Sequence, residues 1–367
     1  MPLLPRPEVQ SMASCQHGGI DYAELEALGI APDEVLDFSA NLNPFGPPPG
    51  IREAMSKADV ACYPDSRATN LRRLLADKLQ VKAENILIGS GSTELIRLAA
   101  LAYFSQGDPV LIIEPTFGEY QIACQISGAS LVKQRLCAEN SFQLNIEETI
   151  ELIHRHCPKG IFIDNPNNPT GQYLSRAKFR KLLDASKDSL VVLDEAYIAF
   201  MDNAWSSLDV IEGNNLLILR SMTKDYALAG LRLGYGVAGR EIITTLCRIC
   251  PPWNVNAVAQ QAGIMALKEE GYLKRCQAKL KEAKSYLVAE LNRLGLSPIP
   301  SEANFFLVEV GNAPEFRHNL LQKRILVRDC TSFGLPSYAR ISPRTLPECY
   351  RLVTAIEKMM DSRQDGG

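Results

Sequence analysis

The chain has 367 residues, 46% hydrophobic and 22% charged, with ten cysteines and a formal net charge of −3. That length can bury the cores of about two domains; the composition excludes wholesale disorder, and the slightly acidic balance argues against a dedicated nucleic-acid binder. No run of ~18 apolar residues is available to span a bilayer, and the opening MPLLPRPEVQ lacks the apolar stretch of a secretion signal, so a cytoplasmic location with reduced thiols is expected.

Residues 1–45 are loop-rich and read as an N-terminal arm that packs with a smaller domain. Buried-strand patterns then follow at Asn85–Ser90, Pro109–Glu114, Gly160–Asp164, Ser189–Asp194, Asn215–Arg220 and Leu233–Ala238. Near-continuous Val/Ile/Leu runs of this kind are strands covered on both faces. Helical patterns separate them at Thr93–Phe104, Phe117–Gly128, Ile146–His156 and Arg176–Ser186. The alternation predicts an α/β fold, a doubly wound, mostly parallel sheet over residues 46–255.

The pattern changes after Pro251-Pro252. Residues 256–294 read as one long helical stretch with a break near Gly271. Short strands at Asn304–Glu309, Ile325–Arg328 and Tyr338–Ile341, with helices at Pro314–Arg324 and Pro347–Met360, complete a smaller α+β domain over residues 256–367. The polar tail Asp361–Gly367 is expected to fray. Cys247 and Cys250 form a C-x-x-C pair without the second pair or ligand-spaced histidines that zinc wants. They read as small apolar residues of a helix, and no metal is expected.

Ligands of doubly wound sheets bind beyond the carboxyl ends of the strands. The first strand runs into Gly89-Ser-Gly91-Ser92-Thr93-Glu94 at a helix start, a place suited to phosphate, although Gly and Ser there also serve as an ordinary turn and cap. The third runs into Asn165-Pro-Asn-Asn168-Pro-Thr-Gly171, a polar, proline-locked loop. The fourth ends on Asp194-Glu-Ala-Tyr197. The fifth runs into Arg220-Ser221-Met-Thr223-Lys224, followed by Gly230-Leu-Arg232-Leu-Gly234-Tyr235. Lys224 has three readings: a solvated surface residue, half of a Ser-x-x-Lys acyl-transfer pair whose companion motifs are absent, or an imine-forming lysine. The last reading suits pyridoxal phosphate, which needs a lysine, a carboxylate facing its ring nitrogen and a phosphate cup.

These motifs, in this order, resemble the fold-type-I pyridoxal-phosphate enzymes of the aspartate aminotransferase superfamily, over most of the chain. The resemblance implies that Lys224 carries the cofactor, that Asp194 keeps its ring nitrogen protonated, and that Asn168 and Tyr197 bond its 3-oxygen. It also implies that Phe117 stacks on the ring and that Ser92, Thr93, Ser221, Thr223 and Arg232 hold the phosphate. Tyr63, in Cys-Tyr-Pro-Asp, would reach the phosphate of a neighbouring subunit, which implies a homodimer with shared sites. Arg340 matches the arginine that grips a substrate carboxylate.

Within the superfamily the chain is similar to histidinol-phosphate aminotransferases and to threonine-phosphate decarboxylases of cobalamin synthesis. Three segments resemble the decarboxylases: Cys15-Gln-His17-Gly18-Gly19, Asp37-Phe-Ser-Ala-Asn41-Leu42-Asn43-Pro44, and Ile325-Leu-Val-Arg328-Asp329-Cys330. In the second, Leu42 replaces an acid usual in the aminotransferases. The expectation is therefore a decarboxylase, a lyase taking O-phospho-L-threonine to (R)-1-amino-2-propanol phosphate, with His17, Asn41, Arg328 and Arg340 around the substrate anions. His17-Gly-Gly also reads as a bare turn, and Arg328 as an exposed strand residue. The alternatives are histidinol-phosphate amino transfer and O-phosphoserine decarboxylation, the latter separated by one methyl worth ~1–3 kcal/mol. A third is a non-enzymatic α/β binding protein, against which the full set of Lys224, Asp194, Tyr197, Asn168 and Arg232 stands.

Overall fold

The structure, a computed structural model, describes residues 3–10, 12 and 15–364. Its strands are β1 (Leu36–Asp37), β2 (Ile86–Gly89), β3 (Pro109–Glu114), β4 (Ser130–Arg135), β5 (Gly160–Asp164), β6 (Leu190–Asp194), β7 (Leu216–Ser221), β8 (Gly234–Ala238), β9 (Phe306–Glu309), β10 (Ile325–Leu326), β11 (Arg328–Asp329) and β12 (Tyr338–Ile341). Among the described residues they form three sheets. The large sheet has the order β2-β8-β7-β6-β5-β3-β4. Its pairs are parallel from β4 through β7, and β8 alone runs against both its neighbours.

Every residue of β5 and β6 is buried, because both faces are covered. Ile161, Val191 and Ile218 point into one apolar layer, while Phe162, Val192 and Leu219 point into the other, as the two-residue period of a strand requires. The sequence reading overlooks β4. Its Lys133 and Arg135 pair with Glu114 of β3, and such charges on an edge strand mask the apolar signal while discouraging further pairing.

The long helical pattern after residue 256 is two helices, Ala257–Lys268 and Tyr272–Arg293, and Gly271 takes up a left-handed φ of +72° between them. The first of these does not belong with the smaller domain. Ala259, Ala262, Ala266 and Leu267 are buried in one layer of the large sheet. A Cβ on Gly263 would stand 2.6 Å from Leu233, so small residues let this helix settle closely. Tyr272 and Cys276 share that layer, whereas Ala283, Leu287 and Leu291 enter the core around β9 and β12. The change of core thus falls inside the Tyr272–Arg293 helix rather than at residue 256. Composition misplaces it because an alanine-rich helix reads alike in either core.

The smaller unit holds the antiparallel sheet β11-β12-β9. β1 pairs in parallel with β10, and Leu25, Ile30 and Val35 pack on Leu321 and Leu326. At its beginning the arm reaches the other way, where Arg6 donates to the Ile126 carbonyl at 2.8 Å. The C-terminal helix Leu346–Gln364 extends through residues expected to fray, and residues 365–367 lie outside the described set. Cys247 lies in the Arg240–Ile249 helix, Cys250 is its C-cap, and both thiols are free. No described helix is long and apolar enough to cross a membrane.

Candidate active site

A cavity of about 700 Å³ opens where the carboxyl ends of the large-sheet strands face the smaller unit. Thirteen of the fifteen residues singled out in the sequence line it: His17, Asn41, Ser92, Thr93, Phe117, Asn168, Tyr197, Ser221, Thr223, Lys224, Arg232, Arg328 and Arg340. Asp194 lies beneath the floor, 3% exposed. Tyr63 is elsewhere, 78% exposed and stacked on Trp253 at 4.2 Å between ring centroids.

One end of the cavity is a cup for an anion. Gly91, at φ +78°, turns β2 into the Ser92–Tyr103 helix, and a Cβ there would stand 2.8 Å from Arg232 Nη2. The guanidinium therefore rests against a turn that only glycine leaves open. Ser221 and Thr223 share a hydroxyl–hydroxyl hydrogen bond of 2.6 Å at the end of β7. Ser90 N–H and Asn254 Nδ2 both donate to Glu94 at 2.7 Å. Glu94, standing where a dinucleotide fingerprint would have glycine, thus locks the loop rather than meeting the anion.

The floor carries Lys224, whose amine burial pushes down to about 8, assisted by Arg340 and Arg232. Asp194 accepts from the Tyr120 hydroxyl at 3.0 Å and from Ala196 N–H at 3.0 Å, and burial raises it to about 6. A carboxylate so placed is stabilised by any cation brought against it. In the next strand Asp164, the register partner of Asp194, accepts from Asn168 N–H at 2.8 Å, and burial holds its carboxyl well above the usual range. Tyr197, buried beside Asn41, has its hydroxyl pushed up to about 12 by burial. Neither Tyr120 nor Asp164 is singled out by the sequence reading. Both sit next to quoted motifs, but their pairing across strands has no spacing signal.

The opposite wall comes from the small sheet. Arg328 and Arg340 are direct cross-strand partners, 9% and 5% exposed. Arg340 donates to Asn168 Oδ1 and, at 2.6 Å, to the Ser39 carbonyl. Arg328 donates to Gln16 O at 2.9 Å and Ser332 Oγ at 2.7 Å. The Nε of each is buried and unbonded among the described residues. Like charges facing across a ladder repel, and burial with Arg340 alongside pulls Arg328 below its ordinary value. Such a pair is built to receive an anion. His17 and Phe117, with ring centroids 5.8 Å apart, stand at the cavity mouth.

A desolvated lysine, a buried carboxylate below it and a glycine-opened hydroxyl and arginine cup fit one kind of group, a protonated heteroaromatic ring with a phosphate tail. That is the constellation of a pyridoxal-phosphate enzyme of fold type I. The chain belongs to the aminotransferase class I and II family, which it matches over residues 33–356, and this family works with pyridoxal phosphate. A histidinol-phosphate aminotransferase of Symbiobacterium thermophilum is 37% identical over 88% of this chain and 90% of its own length. Further relatives carrying that name are 32–35% identical. Among solved structures, the histidinol-phosphate aminotransferase of Clostridium acetobutylicum is 29% identical with a TM-score of 0.82, covering 89% of this chain and all of that one. The L-threonine-O-3-phosphate decarboxylase of Porphyromonas gingivalis is 27% identical with a TM-score of 0.78, covering 88% and 99%.

These relatives overturn the decarboxylase expectation, and with it the lyase and cobalamin assignments. Similarity in fold is nearly equal for the two structures, so fold does not separate the activities. Sequence relatives do, and they carry the aminotransferase name. The segments around His17, Asn41 and Arg328 misled because all three line the cavity on the side facing Lys224 and say nothing of the reaction. Both chemistries need a grip on anions there, whereas the choice of bond to break depends on how the substrate is turned.

Proposed function

We propose that this protein is a pyridoxal-phosphate-dependent aminotransferase that exchanges an amino group between histidinol phosphate and a dicarboxylic oxo acid. The observation that carries this reading within the site is the buried Arg328–Arg340 pair, supported by the names of the relatives. One substrate of such an exchange brings a phosphate and the other brings carboxylates, and the fork of an arginine serves either anion. The cofactor, when bound, supplies the electron sink. Lys224, whose amine burial, Arg340 and Arg232 lower to about 8 in the free protein, would hold the cofactor, and its Nζ is the group placed to move the proton of the carbon that bears the amino group. Asp194 holds a proton on the ring nitrogen, and Asn168 and Tyr197 orient the ring's oxygen. Ser92, Thr93, Ser221, Thr223 and Arg232 bind the phosphate tail, while Phe117 covers the ring and keeps water away. His17 and Asn41 complete the substrate's surroundings. Tyr63, remote from its own cavity, serves the site of a second copy, and the working unit is a cytoplasmic homodimer.

The test is to supply the holoprotein with histidinol phosphate and 2-oxoglutarate and measure glutamate. Steady formation is expected, together with no carbon dioxide from O-phosphothreonine in a parallel tube. No glutamate from this pair rejects the assignment.

A further inference from the structure

We propose that Cys15, His17 and Glu119 form a site for one zinc ion at the mouth of the active-site cavity. Their donor atoms, a thiol sulfur, an imidazole nitrogen and a carboxylate oxygen, all lie within 4.8 Å of one another. This mixed set matches the preference of zinc for sulfur, nitrogen and oxygen ligands, and three protein donors leave a fourth position for water.

The surroundings hold each donor in place. Glu119 is 5% exposed although it carries a charge. Its Oε2 is bound by Arg97 at 2.9 Å, which leaves Oε1 turned to His17 Nε2 at 3.4 Å. Gly118 N–H lies against the Cys15 sulfur, and a Cβ on Gly118 would stand 2.7 Å from that sulfur; the thiol donates to the Gln16 carbonyl at 3.9 Å. Glycine there makes room for the thiol. Outer contacts of this kind, one on a carboxylate and one on a sulfur, orient ligands in metal sites. Thiolate and carboxylate together neutralise the charge of the dication.

Binding forms the Zn–S bond as the Cys15 thiol releases its proton to solvent. Cys15 and His17 belong to the N-terminal arm, and Glu119 opens the Glu119–Ser127 helix of the large domain. The ion ties the arm to the large domain and fixes His17 at the rim of the cavity. This inference does not depend on which amino compound the enzyme processes.

The experiment titrates the holoprotein with Co²⁺ as a coloured stand-in, then with Zn²⁺. One Co²⁺ per chain is expected, with the visible bands of a tetrahedral thiolate complex, displaced by Zn²⁺. Cys15→Ser should lose the thiolate signature and bind ~10–100-fold more weakly, with the cofactor's absorption unchanged as the sign of an intact site. Glu119→Gln should weaken binding without removing the thiolate signature. Absence of Co²⁺ binding in the wild type overturns the proposal. So does a thiolate signature that survives Cys15→Ser, since the metal would then sit on other cysteines, such as exposed Cys157 beside His156.

Discussion

At the scale of single residues, two positions show how the cavity depends on groups that do not touch a substrate. Gly91 holds φ at +78° and leaves Arg232 Nη2 where a side chain would stand. Gly91→Ala should release the cofactor at least ~10-fold more readily, since a strained left-handed alanine and a displaced guanidinium act together at ~1–3 kcal/mol. Equilibrium dialysis against free pyridoxal phosphate checks this. Asp225, next to Lys224, is buried and accepts from the N–H of Tyr226 at 2.9 Å; burial raises it to about 7. Between the ordinary carboxylate value and 7 the folded chain holds a proton that the unfolded chain has lost, so stability declines as pH rises through this window. The cofactor-free protein should therefore have a lower urea midpoint at pH 7.5 than at pH 5, and Asp225→Asn should narrow the gap. Lys224, Asp194 and Asn168 are legible in the sequence because they stand in ordered motifs at strand ends. Asp225, Tyr120 and Asp164 are not, because burial and cross-strand pairing decide their character.

At the scale of elements, the β11–β12 ladder sets Arg328 against Arg340. On the proposed function, an anion held between the two would relieve this repulsion. Arg328→Gln should raise the stability of the substrate-free protein by a few tenths to ~1 kcal/mol. It should also weaken a phosphorylated substrate by ~10–100-fold, the equivalent of ~1.5–3 kcal/mol for a hydrogen bond to a charged group. Calorimetric melting and the KM for the phosphorylated amine, with kcat nearly kept, test the two halves. The buried parallel strands are readable because each is an uninterrupted apolar run. β4 is not, since its edge position puts Lys133 and Arg135 in the pattern. Gly271 marks the helix break for a conformational reason that a single residue carries, whereas the change of core between Cys276 and Ala283 leaves no local trace.

At the scale of the whole molecule, the exposed Tyr63–Trp253 stack is the surface expected to meet a second copy. Sedimentation should give a particle of two chains. Tyr63→Ala should loosen the cofactor by ~10-fold, as the loss of one hydrogen bond to a charged group implies, without altering the spectrum of what stays bound. The two sheets contribute to the cavity separately. The floor with Lys224 and the end with Ser92, Ser221 and Arg232 come from the large one, and the paired arginines come from the small one. A change in β11 or β12 can therefore alter which molecule is accepted while the cofactor seat stays as it was. Descent within this family can then proceed by swapping one wall at a time. A lyase and a transferase can share ancestry, cofactor and overall shape, and differ in a handful of side chains that hydrophobic patterning does not register.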